Sequence, residues 1–189
     1  VGTTEKTGTE ATFQPDPEMF DDIIYSYETL RDRMREEAFL NAGLSITISD
    51  NRGEESVNQT MCYEGGIREF ATWSNRNKTP IHQDVIYMNG SKGDASAEIA
   101  IQYNDGYNEN ILSYANNVRT EDGGAHENGF KTALTRVFND YGRKYNILKD
   151  ADKNLSGDDV REGLTAVISV KLTDAQFEGQ TKGKLGNTD

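Results

Sequence analysis

Cysteine is nearly absent from this chain of 189 residues, in which Cys62 is the single example. One cysteine excludes a disulfide within the chain and is typical of a reducing compartment, so we expect a cytoplasmic location. Long apolar runs are missing too, and a helix that spans a membrane needs about 18 or more such residues. The start of the chain also lacks the basic-then-apolar pattern of a signal peptide. The sequence therefore predicts no membrane partner.

Positive charge is scarce. The chain has 20 lysines and arginines against 32 aspartates and glutamates, a formal net charge of -12. Affinity for nucleic acid comes mainly from cations that neutralise phosphates. This balance excludes a strong autonomous DNA-binding protein, so any contact with DNA must be local or supplied by a partner.

The residues needed for independent catalysis are sparse. Two separated histidines and one cysteine give no zinc-ligand spacing, so we predict no metal site. The chain has neither a G-x-x-x-x-G-K-S/T loop nor a G-x-S-x-G elbow. His126 beside Glu127, at the predicted start of a helix, is the one acid–base pair. A small hydrolase centred on this pair is one alternative function, although no nucleophile or metal accompanies it.

Hydrophobic periodicity and turn residues predict roughly six strands and three helices. One helix is predicted over 27–40, with Ser26 as its N-terminal cap, a second after Gly65-Gly66, and a third over 126–145. A short helical turn is predicted at Ser156. Strands are predicted over 9–14, 44–49, 84–89, 95–103, 110–117 and 164–170. The polar stretch 50–59 is predicted to be a turn between the strand 44–49 and a further strand that follows it. The last run is nearly continuous in apolar and β-branched residues, which is typical of a central strand. The fold class that follows is α+β, a mixed α/β sandwich with helices on one face of a sheet.

The C-terminal segment 177–186, with the sequence FEGQTKGKLG, turns polar and rich in glycine soon after the predicted central strand. A mobile loop that presents the amide of Gln180 and the ammonium group of Lys182 suits an anionic ligand such as a phosphate. A flexible, solvated tail is the alternative interpretation.

Five long stretches of the chain carry a further signal. They are TGTEATFQPDPEMF (7–20), LRDRMREEAFLNAGLSITISD (30–50), YEGGIREF (63–70), IQYNDGYNENILSYANNVRTEDGGAHENGFKTALTRVFNDYGRK (101–144) and GDDVREGLTAVISVKLTDAQFEGQTKGKLGN (157–187). In this order they resemble the ATPase region of bacterial DNA gyrase B and its topoisomerase IV counterpart. The sequence YEGGI and the segment KLTDAQFEGQTK, which has no extra residues before QFEGQTK, are more similar to gyrase. The sequence NNVRTEDGG is more similar to topoisomerase IV.

The resemblance implies a division of the chain. Residues 1–17 would be the C-terminal strand of a GHKL ATP-binding domain. Residues 18–189 would form a transducer domain similar to the second domain of ribosomal protein S5, with a left-handed βαβ crossover. Such a segment would couple ATP binding and hydrolysis to DNA strand passage and negative supercoiling in an ATP-dependent type IIA topoisomerase. The isolated fragment is expected to be inactive.

The resemblance also assigns roles to residues. Thr9 would line the adenine site. Gln180 and Lys182 lie in the family's QTK loop, which touches the γ-phosphate of ATP; Lys182 would bring positive charge, and Gln180 would orient the phosphate or the attacking water. Arg119 and Glu121 belong to a candidate loop at the DNA cavity. Glu121 stands where some relatives have an arginine, which argues against direct DNA contact there.

Cofactors and partners follow in the same way. ATP with Mg²⁺ would bind to the complete subunit, not to this fragment alone, since the general base, the magnesium ligand and the glycine lid would lie upstream of Val1. The partners would be the upstream GHKL domain and the downstream DNA-cleavage core of the same subunit, the gyrase A protein and double-stranded DNA. The isolated fragment is expected to be a monomer. Two further alternatives stay open: a topoisomerase IV subunit that decatenates DNA, and an acidic interaction domain without a catalytic role.

Overall fold

The computed structural model describes residues 8–187 of the chain. The helices in this range are α1 (Tyr27–Leu40), α2 (Gly66–Ser74), α3 (Ala125–Lys144) and α4 (Gly157–Arg161). The longer strands are β1 (Ile46–Asp50), β2 (Val57–Met61), β3 (Ile86–Lys92), β4 (Ala95–Tyr103), β5 (Asn110–Ala115) and β7 (Leu164–Lys171). The two-residue strands are β6 (Val118–Arg119), β8 (Phe177–Glu178) and β9 (Lys184–Leu185).

Strand β7 is the middle strand of a five-stranded sheet with the order β3-β4-β7-β5-β6. It pairs antiparallel with β4 and parallel with β5, so the sheet is mixed. All of its residues before Lys171 are buried, as expected of a strand covered on both faces. The predicted central strand and the mixed α/β class are therefore confirmed. The parallel pair β5 and β7 is connected through α3, which gives the βαβ unit that the resemblance implied.

Helices cover both faces of the sheet, whereas we had expected them on one face. Side chains alternate along a strand, so Val167 of β7 enters one core cluster while Ile168 enters the other. The first cluster joins α1 and α2 to the sheet through Phe39, Leu40, Ile67, Phe70 and Tyr114. The second joins α3 to the opposite face through Ile101, Phe130, Leu164, Val170 and Leu185. A central strand that is apolar on both sides requires cover on both sides, which is why the single-face expectation was wrong.

The ends of the helices lie where local sequence signals predict them. The hydroxyl of Ser26 accepts a hydrogen bond from the Thr29 N–H at 3.2 Å and caps α1. Ser156 and Asp159 form a capping box at the start of α4. The predicted helices over 27–40 and 126–145 are confirmed to within one residue. None of the helices in residues 8–187 is long and apolar enough to cross a bilayer.

The second half of α3 does not bury the apolar side chains that recur along it at helical spacing. Such a pattern is typical of a face turned to the core, yet Val137 and Tyr141 are each 57% exposed. The buried positions are Asn139 and Gly142. The side chain of Asn139 donates to the carbonyl of Leu155 at 3.0 Å and accepts from its N–H at 2.8 Å. This half of the helix therefore packs on the loop before α4 through polar bonds, which an apolar pattern does not reveal.

Strand β5 ends earlier than predicted because the chain turns sharply. Asn116 and Asn117 have φ angles of 48° and 63°, in the left-handed region that asparagine tolerates well. They join Ala115 to Val118 as a two-residue hairpin loop of the type whose twist matches the flanking strands. The predicted strand over 110–117 is thus strand β5 and a turn, followed by β6.

Two other sequence expectations were wrong. Residues 9–14 form no strand, and Phe13 is 77% exposed. Alternation suits a strand, but a strand also needs a hydrogen-bonded neighbour, and no strand in the described range pairs with this segment. Residues 1–7, the remainder of the expected ATP-binding-domain strand, lie outside the described residues. The polar stretch 50–59 is not turn throughout, because β2 begins at Val57 and pairs with β1.

A buried network of polar side chains joins α2 to strands β4 and β7. The amide of Asn104 donates to the carbonyl of Gly163 at 2.8 Å, and the hydroxyl of Thr165 donates to Asn75 Oδ1 at 2.7 Å. Asn75 in turn donates to Gln102 Oε1 at 3.0 Å. Each of these four polar side chains is less than 5% exposed. Because buried polar atoms without partners are costly, the network specifies how α2 is seated on the sheet.

We predict that Asn104→Ala lowers the free energy of unfolding by about 2 kcal/mol, since it removes the partner of buried polar groups. The measurement is chemical denaturation of the chain followed by circular dichroism. Asn108→Ala, on an exposed residue of the adjoining loop, is the matched control and should change stability by less than about 0.5 kcal/mol. Equal stabilities for the two variants would contradict the structural importance of the network.

Candidate functional site

The segment predicted to be a glycine-rich loop forms a small hairpin, Phe177–Leu185, here called the C-terminal hairpin. Its strands pair antiparallel, with Phe177 opposite Leu185 and Glu178 opposite Lys184. Leu185 is 3% exposed, and Phe177 packs against the same core cluster on the α3 face of the sheet. Burial therefore anchors the base of the hairpin, and a flexible tail does not describe it.

The tip of the C-terminal hairpin carries the predicted site residues. Gln180, Thr181 and Lys182 are all exposed. The Lys182 N–H donates to the carbonyl of Gly179 at 3.4 Å and closes a tight turn. Lys182 has a φ angle of 56°, a left-handed conformation that costs a non-glycine residue about 1 kcal/mol or more. The structure thus brings Gln180 and Lys182 together on one turn, with the lysine backbone held in a strained conformation.

The two lysines of the C-terminal hairpin differ in their electrostatic surroundings. Lys184 forms an ion pair with Glu178, with 3.1 Å between Nζ and Oε2. Within residues 8–187 Lys182 forms no ion pair, and its Nζ lies 5.9 Å from the centre of the Phe177 ring. The tip therefore presents an ammonium group and a side-chain amide to solvent. Both are donors that suit the oxygens of a phosphate.

The C-terminal hairpin rests on the turn Thr120–Gly124, here called the seat, which leads into α3. The Asp122 N–H donates to the carbonyl of Gly183 at 2.9 Å, and the Leu185 N–H donates to the carbonyl of Gly123 at 3.1 Å. Gly124 lies in a parallel bridge with Leu185. The sequence showed the glycine pair only as a helix boundary. Two glycines where a helix usually has a side-chain cap were the available signal for a close backbone approach.

His126 and Glu127, the pair considered for a hydrolase, are half-buried and bonded to two buried hydroxyl side chains. His126 Nε2 lies 3.1 Å from the hydroxyl of Thr120, and Glu127 accepts a hydrogen bond from Ser113 at 2.7 Å. A reacting hydroxyl must reach its substrate, yet Thr120 is 2% exposed and Ser113 is 3% exposed. Burial lowers the pKa of His126, and the neighbouring Glu127 opposes this effect. The geometry therefore favours a role in holding the seat, not a hydrolytic site.

Of the candidate DNA-cavity residues, Arg119 lies just before the seat and Glu121 lies within it. Arg119, in β6, donates to Glu36 of α1 with 3.0 Å between Nη1 and Oε1. Glu36 also pairs with Arg33 at 2.7 Å, and Arg33 pairs in turn with Glu37 at 3.2 Å, so two arginines are balanced by two glutamates. Glu121 is exposed and carries the opposite charge. The role of Glu36 was not visible in the sequence, because the two partners are 83 residues apart.

Thr9, the residue expected at an adenine site, lies before α1 in a stretch without regular secondary structure. It is exposed and takes part in none of the hydrogen bonds found among the described residues. Its assignment stays a prediction, as do the roles of Gln180, Lys182, Arg119 and Glu121. Within the described range no group of three or more histidine, cysteine, aspartate or glutamate side chains could hold a metal ion.

Comparison with known proteins gives consistent relatives. A family profile described as DNA gyrase B matches residues 66–189. The DNA gyrase B protein of Clostridium acetobutylicum is 56% identical over 190 residues, which cover 100% of this chain and 30% of that protein. The DNA gyrase B protein of Bacillus mycoides is 54% identical over 190 residues, covering 100% of this chain and 47% of that protein.

Solved structures give the same result. The 43K ATPase domain of Thermus thermophilus gyrase B, crystallised with an aminocoumarin, is similar with a TM-score of 0.76 and 36% identity. The similarity covers 92% of this chain and 46% of that one. The topoisomerase IV ATP-binding domain of Francisella tularensis, in complex with a small-molecule inhibitor, reaches a TM-score of 0.71 at 27% identity, over 93% of this chain and 46% of that one. The chain thus spans less than half the length of each of these relatives.

We predict that His126 makes stability fall with pH below its ordinary pKa. Since burial lowers the pKa of folded His126, the unfolded chain takes up a proton first as pH falls through about 6.5. The stabilising contribution is complete above about pH 6.5 and is lost as pH falls towards the folded value. Denaturation measured from pH 8 down to about pH 5.5, above the main carboxylate range, should show a flatter pH dependence for His126→Gln than for the wild type. Identical slopes would show that the folded imidazole titrates normally.

Proposed function

We propose that this chain, which belongs to the DNA gyrase B family, is the transducer segment of a gyrase B protein. In this role it couples ATP binding and hydrolysis to DNA strand passage and negative supercoiling. The C-terminal hairpin is the part that senses nucleotide, through contact of its tip with the γ-phosphate. The observation that carries the proposal is the exposed ammonium group of Lys182, without an ion pair among the described residues, on a hairpin whose base is buried.

The chemistry of Lys182 supports contact with a phosphoryl group. A lysine acts as a point charge that can neutralise the charge developing on the transferred phosphoryl group. Lys184, two residues away, has its charge balanced by Glu178 and is the poorer candidate. The left-handed backbone of Lys182 adds to the argument, since strained backbone persists at functional sites where the surrounding structure holds it.

Gln180 complements Lys182 in the proposed contact. A glutamine amide offers two donors and one acceptor, so it can hydrogen-bond a phosphate oxygen and orient an attacking water. Both side chains leave the same exposed turn, which Gly179 begins with a φ angle of 74°. They can therefore approach one phosphate group together. Because the γ-phosphate departs on hydrolysis, the contact can bias the position of the hairpin in a nucleotide-dependent way.

ATP and Mg²⁺ are proposed as ligands of the complete subunit. Lys182 and Gln180 fit the terminal phosphate, but the described residues contain no cluster that fits a metal ion. Mg²⁺ and the rest of the nucleotide would therefore be held by the upstream GHKL domain, with Thr9 at the edge of the adenine site. As an isolated fragment the chain should hydrolyse no ATP.

DNA contact is assigned to partners and not to this chain. The net charge is -12, Arg119 is paired with Glu36, and Glu121 adds a negative charge within the seat. Phosphate binding requires local excess of positive charge, so the loop at 119–121 is a poor phosphate site. We propose that gyrase A and the DNA-cleavage core of the same subunit hold the DNA, in the cytoplasm.

The alternatives receive less support. The 56% and 54% identity to two DNA gyrase B proteins over the whole of this chain supports a gyrase assignment, and with it supercoiling. An acidic interaction domain would not explain a strained, exposed lysine on an anchored hairpin. A hydrolase centred on His126 would need a reachable hydroxyl, and its neighbour Thr120 is buried.

We predict that Lys182→Ala, made in the complete subunit with gyrase A present, lowers the kcat for ATP hydrolysis by about 10²–10³-fold. Nucleotide binding should stay close to wild type, because most contacts with ATP are made by the other domain. Steady-state ATPase assays and equilibrium binding of a non-hydrolysable ATP analogue provide the two measurements.

Lys184→Ala is the matched control for this experiment. It removes a lysine from the same hairpin, and only an exposed ion pair of small energetic value is lost. Its ATPase activity should resemble the wild type. Wild-type turnover in Lys182→Ala, or an equal loss in both variants, would contradict the proposed role of Lys182.

A further inference from the structure

The contact between the C-terminal hairpin and the seat is made by backbone atoms. Strand β9 lies between β8 on one side and residues 122–124 on the other. The carbonyl of Gly183, between Lys182 and β9, accepts a hydrogen bond from the Asp122 N–H, and the Leu185 N–H of β9 donates to the carbonyl of Gly123. The position of the tip is thus tied to the seat by two hydrogen bonds that depend on no side chain.

Gly124 makes this close approach sterically feasible. A Cβ atom added there would lie 2.5 Å from the carbonyl oxygen of Leu185 and 2.8 Å from its nitrogen. Both distances are shorter than real Cβ contacts, and the obstructing atoms are backbone atoms that cannot swing away. Gly124 also has a φ angle of 142°, which favours glycine. A side chain at this position would force the hairpin and the seat apart.

The seat is in turn fixed to the sheet and to α3. The Thr120 N–H donates to the carbonyl of Ser113 in β5 at 2.9 Å, and the Ser113 hydroxyl donates to Glu127 in the first turn of α3 at 2.7 Å. The Asn128 N–H donates to the carbonyl of Gly124 at 3.0 Å as the helix begins. A continuous set of hydrogen bonds therefore runs from the residue next to Lys182 to the N-terminal end of α3.

We infer that the C-terminal hairpin, the seat and the first turn of α3 form one cooperative unit, so that a displacement of Lys182 is transmitted to α3 through the seat. Gly124 is a positioning residue in this unit. The inference deepens the proposed function and rests on it for its biological meaning, because the displacement is the one made on gaining or losing a γ-phosphate. Arg119, which directly precedes the seat, and Glu121, which lies within it, move with the same unit.

The test is residue-resolved hydrogen–deuterium exchange in the complete subunit without nucleotide. If the unit opens as a whole, the Asp122 and Leu185 amides have the same opening free energy across a denaturant series, once each rate is divided by its intrinsic exchange rate. Gly124→Ala should accelerate both amides together, by about tenfold or more, because the strained contact weakens the whole unit. Gly129→Ala is the control: it lies in the second turn of α3, where an added Cβ meets nothing within 4 Å, and because alanine favours a helix it should accelerate neither amide.

Two results would overturn the inference. Acceleration of only one amide in Gly124→Ala, or of neither, would show that hairpin and seat open independently. Should Gly124→Ala fail to fold, the wild-type denaturant series decides alone, since clearly different opening free energies for the two amides contradict a single unit.

A second arm separates this inference from the proposed function. Adding a non-hydrolysable ATP analogue should slow exchange at both amides, and Lys182→Ala should abolish that response. If nucleotide has no effect on wild-type exchange while both amides still open together without it, the proposed sensing role fails and the cooperative unit stands. A response of the hairpin amide alone would overturn the unit and leave the sensing role intact.

Discussion

The backbone hydrogen bonds of β7 must be satisfied by neighbouring strands, because the strand is buried on both faces and water cannot serve them. Strand β4 supplies one side of the ladder and β5 the other. The side chains of β7 then require apolar cover on both faces of the sheet. Helices α1 and α2 cover one face, and α3 covers the other. The direction in which the chain leaves Lys171 is fixed by this arrangement, and the C-terminal hairpin follows only a short loop later.

The acidity of the chain shapes the chemistry of its few cations. Arg119, Lys131 and Lys184 are each held by a glutamate, at 3.0, 2.8 and 3.1 Å respectively. A lysine that has no ion pair among residues 8–187, as Lys182 does, is a weak site for a free phosphate on such a background, since the surrounding negative charge opposes anions within a screening length of about 8–10 Å. It is better suited to a phosphate that another domain already holds in place. Under the proposed function, the acidic surface would therefore favour bound nucleotide over free anions.

Sequence predicted well those features that depend on neighbouring residues. Ser26 and the capping box at Ser156 act within one helical turn, and the continuous apolar character of β7 predicts a central strand. Gln180 and Lys182 were predicted as site residues from their place in a polar, glycine-rich segment and from family resemblance, and their role stays a prediction. The segment 9–14 shows the limit of such patterns, because alternation does not supply the neighbouring strand that a β-strand requires.

The features that sequence did not predict are formed between distant residues. Thr165 and Asn75 are 90 residues apart, and Arg119 and Glu36 are 83 apart. The contact of the seat with the hairpin likewise joins segments separated by the whole of α3, α4 and β7. Pairs of this kind arise only when the sheet assembles, so no local spacing marks them. The glycine pair at 123–124 was a partial exception, since two glycines indicate that another segment approaches the backbone closely but do not indicate which segment.

Anchoring through backbone atoms has a consequence for how this region tolerates evolutionary change. Exchange of side chains such as Thr181 alters neither of the two hydrogen bonds to the seat, so the tip can vary in chemistry without moving. Insertion or deletion of one residue between Gly183 and Leu185 would shift the register of β9 against both neighbours and turn Leu185 out of the core. Length variation among relatives is therefore expected before Phe177 and not within the hairpin.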